Sequence, residues 1–208
     1  MPGMSEIVRL QRAQWNAAIA ALTRAFDEDP MWSTILPDRT EYERAMPILW
    51  KGVIAYCHTY GHVHTAADVV GVACWALPGK ARPTLWRALR TGFLFPRLVM
   101  VLSAASRKRF LAVVGWIDRL HGHLMPEPHW YLWALGVAPE MQGRGIGGRL
   151  LEPVLARADE GGMPCYLETQ TERNVAFYRK RGFELVREER MPDVDLPIWF
   201  MVRRPRSM

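Results

Sequence analysis

The sequence predicts an α+β fold in which strands and helices interleave, with a helical insertion near the middle of the chain. Three observations carry that reading. Apolar residues recur at helical spacing in several segments and alternate or run on in others. A glycine cluster at 143–148 lies between a strand-like run and a helix-like run. Residues 82–128 hold helical patterns only, with strand-like runs on both sides.

Residues 7–10 read as a short strand. Over 11–26, Trp15, Ala18, Ile19, Leu22 and Phe26 share one helical face. Asp29-Pro30 breaks that run, because a residue before proline avoids the helical region. A second helix is predicted over 40–58, with Tyr42, Met46, Leu49, Val53 and Tyr56 as its stripe. Pro47 lacks an N–H and predicts a bend or a late start. Residues 62–66 and 69–77, separated by Ala67-Asp68, read as an antiparallel hairpin closed by Pro78-Gly79.

Within the insertion, helices are predicted at 84–95 and 106–124. The second aligns Phe110, Val113, Val114, Ile117, Leu120 and Leu124. The aromatic run 129–137 reads as a central strand. A helix over 145–159 turns Ile146, Leu150, Leu151, Val154, Leu155 and Ala158 inward, with a kink predicted at Pro153 and a stop at Gly161-Gly162. A strand at 165–170, a helix at 172–181 closed by Gly182, and strands at 183–187 and 198–203 complete the chain. Neither repeats nor low-complexity linkers occur, so one domain is expected for 208 residues.

Half the residues are hydrophobic and 23% are charged, as in a globular protein. No stretch reaches the ~18 unbroken apolar residues of a membrane span. The best, 93–102, is interrupted by Pro96 and Arg97. The first ten residues lack a basic-then-apolar signal pattern, so no membrane association and a cytoplasmic location are expected. Cys57, Cys74 and Cys165 are odd in number, far apart and without a CxxC pair. They read as small buried apolar residues, and no metal is expected. The net charge of +6 suits a polyanionic small molecule as well as nucleic acid. The basic clusters at 107–109, 179–181 and 203–204 read as solvated surface, and no nucleic-acid partner is expected.

The chemistry concentrates in Gln142-Gly143-Arg144-Gly145-Ile146-Gly147-Gly148. Glycine at four of six positions disfavours helix but lets backbone pass close to a ligand or take positive φ. Consecutive N–H groups at a helix start form an anion site, and a pyrophosphate is its natural guest. Arg144 and Arg149 can add charge. Two nucleotide-binding designs fit. In the first, Gly143, Gly145 and Gly148 satisfy the G-x-G-x-x-G dinucleotide fingerprint, with Glu168 placed 20 residues on as a ribose-binding acid. Against it stand the five-residue gap from 138 to 142, the 60 residues after Gly148, and a first half that does not alternate strand and helix.

In the second, Gln142-x-x-Gly145-x-Gly147 resembles the Q/R-x-x-G-x-G/A coenzyme A loop of the GNAT acetyltransferase superfamily. Leu135-Gly136-Val137-Ala138-Pro139-Glu140 resembles its usual strand exit. Asn174-Val175-Ala176-Phe177-Tyr178 with Gly182-Phe183 resembles its second signature helix. Leu167-Glu168-Thr169 is similar to the corresponding stretch of puromycin N-acetyltransferase-type members. The resemblance is strongest over 129–187 and extends in element order to the whole chain.

This resemblance implies a mixed central sheet flanked by helices in three layers, and acetyl-CoA as co-substrate. It implies that backbone groups at Leu135, Gly136 and Val137 meet the pantetheine arm in a splay between strands 129–137 and 165–170. The loop Gln142, Gly143, Arg144, Gly145, Ile146, Gly147 and Gly148 would hold the pyrophosphate, and Tyr178 would lie near the thioester sulfur. Many members carry a cofactor-contacting Asn seven residues before that Tyr, where this chain has Thr171. Asn174, one turn before Tyr178 on the same face, is the substitute candidate.

Acetyl transfer to an amine needs a base for the amine proton and a donor for the leaving thiolate. Tyr178 is the candidate donor and Glu168 the candidate base. Strand alternation turns Tyr166, Glu168 and Gln170 to one face, away from Leu167 and Thr169. His129, Asp193 and Asp195 are lesser candidates for the base. Trp32, Trp75, Trp133 and Trp199 read as core or as acceptor-pocket walls. The insertion reads as a lid or an extra packing layer. A small-molecule amine with an apolar body is the expected acceptor. A non-catalytic acyl-CoA sensor is the alternative from another class. Oligomeric state is left open, with a homodimer as the assembly considered.

Overall fold

The computed structural model describes residues 6–92 and 95–206. Seven strands form one mixed sheet: β1 (Ile7–Arg9), β2 (Gly61–Ala66), β3 (Gly71–Ala76), β4 (Trp130–Val137), β5 (Cys165–Thr169), β6 (Glu184–Met191) and β7 (Leu196–Arg203). Their spatial order is β1-β2-β3-β4-β5-β7-β6, and every neighbouring pair is antiparallel except β4 and β5. Eight helices accompany them among the described residues: α1 (Trp15–Ala25), α2 (Pro30–Ile35), α3 (Arg39–Tyr60), α4 (Leu85–Thr91), α5 (Phe95–Val101), α6 (Ala104–Leu124), α7 (Ile146–Glu160) and α8 (Glu172–Arg179).

Two apolar layers hold the sheet. On one face, α1, α3 and α6 supply Leu22, Met46, Ile54, Phe110 and Val113 against Val72, Cys74, Tyr166 and Phe200. On the other, α7 sets Leu150, Leu151 and Val154 against Trp75, Leu132 and Leu167. Burying each such side chain contributes roughly 1.5–3 kcal/mol. Strand alternation makes this possible, since Tyr166 and Leu167 are neighbours in sequence and serve opposite layers. The three cysteines are free and buried, as expected. No helix among the described residues is long and apolar enough to cross a membrane.

Several predicted boundaries move. Asp29-Pro30 does not merely end α1. The Asp29 carboxylate accepts from the N–H groups of Met31 and Trp32 and starts α2, with Pro30 in the first turn where it sacrifices no hydrogen bond. Pro47 neither delays nor ends α3, which begins at Arg39 behind an Asp38 cap and continues through it. The insertion contains three helices rather than two. Helix α4 stops at Gly92, whose φ of 62° supplies the left-handed cap, and α5 then begins at Phe95. The predicted helix 84–95 and the apolar run 93–102 each include residues 93 and 94, which lie outside the described residues. Strand β6 runs to Met191, beyond the predicted 187, because its pairing with β7 continues to Leu196.

Two irregularities in β4 shape the centre of the molecule. Its register against β3 passes from Cys74↔Ala134 to Trp75↔Leu132, leaving Trp133 as an extra, bulged residue. Its parallel pairing with β5 covers only Trp130↔Cys165 and Tyr131↔Tyr166. Beyond Tyr131 the two strands part.

Candidate active site

A cavity of about 550 Å³ opens where β4 and β5 separate. Its walls come from α1–α3 (Phe26, Trp32, Trp50), from α6 (Phe110, Ile117, His121) and from the bulged Trp133. The insertion therefore forms one side of the cavity. Glu168 faces into it from β5, Gln170 from the bend just after that strand, and Asn174 and Tyr178 from α8. The two candidate catalytic residues share one chamber.

Glu168 is buried, although it is ionisable. The Tyr131 hydroxyl donates to its Oε2 at 2.8 Å. Its Oε1 has no hydrogen-bond partner among the described residues, and Tyr166 Oη lies beside the carboxyl without completing a bond. Loss of solvent pushes the Glu168 carboxyl up to about 7, with the hydroxyls of Tyr131 and Tyr166 pulling it back. A base for an amine needs this poise: ionised near neutrality, yet more proton-hungry than an ordinary carboxylate. Tyr178 is buried, and burial raises its hydroxyl above the usual phenol range, so it is a neutral O–H donor at neutral pH.

Behind Glu168 lies a polar chain. His121 Nδ1 stands 3.7 Å from Glu168 Oε1. His121 Nε2 and His129 Nε2 are 2.8 Å apart, and His129 Nδ1 is 2.7 Å from the Glu127 carbonyl. Burial lowers both imidazoles, His121 to about 3. His129 thus reaches the carboxyl only through His121. Asp193 and Asp195 lie in the exposed turn between β6 and β7, where Asp195 pairs with Arg190 and neither residue lines the cavity.

The glycine loop lies outside the cavity lining. Gly143 and Gly145 have φ of 75° and 77°, and a Cβ at either would meet no protein atom within 4 Å. Gly145 precedes α7 and offers no side-chain cap to the first N–H groups of that helix. Ile146 sends its side chain into the core and presents only backbone to the loop. Gly147 packs by Phe177, and Gly148 makes room for Arg181, whose guanidinium stacks on the Phe177 ring at 3.6 Å. Arg144 is exposed at the loop tip.

Gln142 turns back, its Nε2 donating to the Val137 carbonyl at 3.1 Å and bracing the strand exit. Leu135 lines the cavity, while Gly136 is pressed under α1, where a Cβ would stand 2.8 Å from Leu22. Thr171 caps α8 by accepting from the Asn174 N–H, which leaves the Asn174 side chain on the cavity wall.

The tryptophans divide. Trp75 and Trp199 are core, whereas Trp32 and Trp133 line the cavity. Three site residues escape the sequence reading. Asp29 lines the cavity, and burial raises its carboxyl to about 6. The Asp-Pro helix-start pattern was a usable signal for its position. Tyr131 sits on the inward face of β4 ahead of the bulge, so simple alternation identifies it. His121 carried no signal, because one His in a helical insertion acquires a role only when the fold brings it to β5.

The chain resembles acetyltransferases in sequence and in fold. The sequence model of the acetyltransferase (GNAT) family matches residues 85–183. An uncharacterized N-acetyltransferase of Schizosaccharomyces pombe is 27% identical, over 96% of this chain and 83% of that protein. A solved structure from Corynebacterium glutamicum, described as histone acetyltransferase HPA2 and related acetyltransferase, aligns over 99% of both chains with a TM-score of 0.72 and 24% identity. Arylalkylamine N-acetyltransferase 2 from Aedes aegypti aligns over 97% of this chain and 99% of its own, with a TM-score of 0.63 and 12% identity. Both structural likenesses are likenesses of fold.

Proposed function

From the chain's likeness to the GNAT superfamily of N-acetyltransferases in sequence and fold, we propose that it moves the acetyl group of acetyl-CoA to the primary amine of a small molecule with an apolar body. One observation carries this reading: Glu168 and Tyr178 line a single apolar cavity at the point where β4 and β5 part. The open, uncapped start of α7 and the left-handed Gly143 and Gly145 fit a pyrophosphate. The parted strands fit a narrow arm that needs backbone partners. When bound, acetyl-CoA supplies an acetyl group already activated as a thioester.

In this reading the aromatic walls, among them Trp32, Trp50, Phe110 and Trp133, hold the body of the acceptor and exclude water. Glu168 Oε1 accepts the proton of the acceptor's ammonium and frees its lone pair for attack. Tyr178 Oη gives its proton to the departing sulfur and takes back the second proton that the nitrogen sheds as the amide forms. The test is release of coenzyme A thiol across a panel of arylalkylamines, aliphatic diamines and peptides. Amine-dependent release with the first class is expected. Release only with peptides would overturn the acceptor class, and none with any amine would overturn the activity.

A further inference from the structure

The buried His121–His129 pair takes no part in the proton transfers proposed above, yet its geometry determines where each of its own protons must be. The Glu127 carbonyl can only accept, so His129 carries its proton on Nδ1, 2.7 Å away. Both imidazoles are neutral, because burial disfavours their charged forms. His129 Nε2 is then a bare acceptor. The 2.8 Å contact between the two Nε2 atoms requires one proton, which must come from His121. His121 therefore has its proton on Nε2 and a bare Nδ1, and that Nδ1 is the atom facing Glu168 Oε1. The separation agrees. A donor N–H to a carboxylate closes to about 2.7–2.9 Å, whereas these atoms stand 3.7 Å apart.

We propose that His121 and His129 are positioning residues for Glu168: the Glu127 carbonyl, acting through His129, locks His121 in the tautomer that can accept a hydrogen bond from the protonated carboxyl but cannot donate one to the carboxylate. The pair favours the proton-bearing form of Glu168 and sharpens it as a base. When Glu168 takes a proton, the new O–H bond at Oε1 points to the His121 Nδ1 lone pair. No proton enters the imidazoles, and both stay neutral. The role assigned to Glu168 rests on the function proposed above, whereas the tautomer lock rests on the geometry alone.

Other groups around the carboxyl bias it as well. Tyr131 from β4 and Tyr166 from β5 favour the ionised form. Asp118 from α6, paired with Arg82, disfavours it. Arg82 and Asp118 also act on His121, and Cys57 from α3 faces Tyr131. Of these groups, Tyr166 also packs against His129, ring to ring at 5.5 Å, a contact that His129→Leu and His129→Gln both lose.

The experiment is nitrogen NMR of the imidazoles in the intact protein, paired with carbon NMR of the Glu168 carboxyl across pH, assigned with Glu168→Gln. His121 should show a bare Nδ1 and a protonated Nε2, and His129 the reverse. His129→Leu removes the acceptor that locks His121, so the carboxyl should titrate about one pH unit lower. His129→Gln, which can still accept from Nε2–H, should titrate near wild type. A protonated His121 Nδ1, or a carboxyl that titrates unchanged or higher in a folded His129→Leu protein, overturns the proposal. Should that variant not fold, the wild-type tautomers decide alone. If the carboxyl shifts but the acidic limb of kcat/KM does not follow it, the lock stands and Glu168 is not the base.

Discussion

At the scale of single residues, the site depends on two buried groups held in opposite states. Tyr178 keeps its proton because burial raises it, and Glu168 gives its proton up only near neutrality. Tyr178→Phe removes the hydroxyl and keeps the ring, so kcat should fall about 10²-fold while acetyl-CoA affinity stays close to wild type. Steady-state kinetics with a binding titration checks both halves. Glu168 also makes a prediction about stability. Its carboxyl is raised from 4.5 unfolded to about 7 folded. The fold therefore favours the protonated form, fully so below the unfolded value, and loses that advantage as pH rises through 7. Glu168→Gln, neutral throughout, should unfold at a higher temperature than wild type near pH 8, with a gap of a few kcal/mol at most. The gap should close near pH 5. A constant gap between the two pH values would mean that Glu168 is not buried as described. Among these residues, strand alternation singled out Glu168, and the resemblance of the 174–178 helix to the GNAT signature singled out Tyr178. His121 could not, because its meeting with Glu168 joins residues 47 positions apart in the chain.

At the scale of elements, the loop between β4 and α7 and the bulge at Trp133 decide what the sheet can bind. The Gly145 conformation has open space around its missing Cβ, so a Cβ there meets no protein atom within 4 Å beyond its chain neighbours. Its cost is the strained φ and the obstruction of the proposed pyrophosphate site. Gly145→Val should leave the fold assembled and abolish the thermal shift produced by acetyl-CoA. Nicotinamide dinucleotides should give no shift with either protein, and a wild-type shift with those alone would favour the dinucleotide design. The loop was readable because glycine clustering is a local signal. The bulge and the splay were not, since each is a relation between strands: Trp133 reads as ordinary strand until its partners on β3 are known. Short α2 was missed for the related reason that a six-residue helix has too few turns to show a periodic stripe.

At the scale of the whole molecule, the insertion has two duties. Helix α6 covers one sheet face with Phe110 and Val113, and it walls the cavity with Ile117 and His121. The packing-layer reading of the insertion thus describes α6, which also supplies a wall of the cavity. Strand order and the single parallel pair follow from pairing between distant segments, beyond the reach of periodicity, although the list of elements was largely correct. The account as a whole requires that the cavity at the β4–β5 splay accept a small apolar amine next to a thioester. The most direct measurement is mass spectrometry of one mixture, in which the protein and acetyl-CoA meet equal amounts of an arylalkylamine, an aliphatic diamine and a peptide with a free N-terminus. Acetyl should appear first on the arylalkylamine, and more slowly when Tyr178→Phe replaces the wild type. Acetyl on the peptide alone, or on no amine although acetyl-CoA binds, would contradict the account.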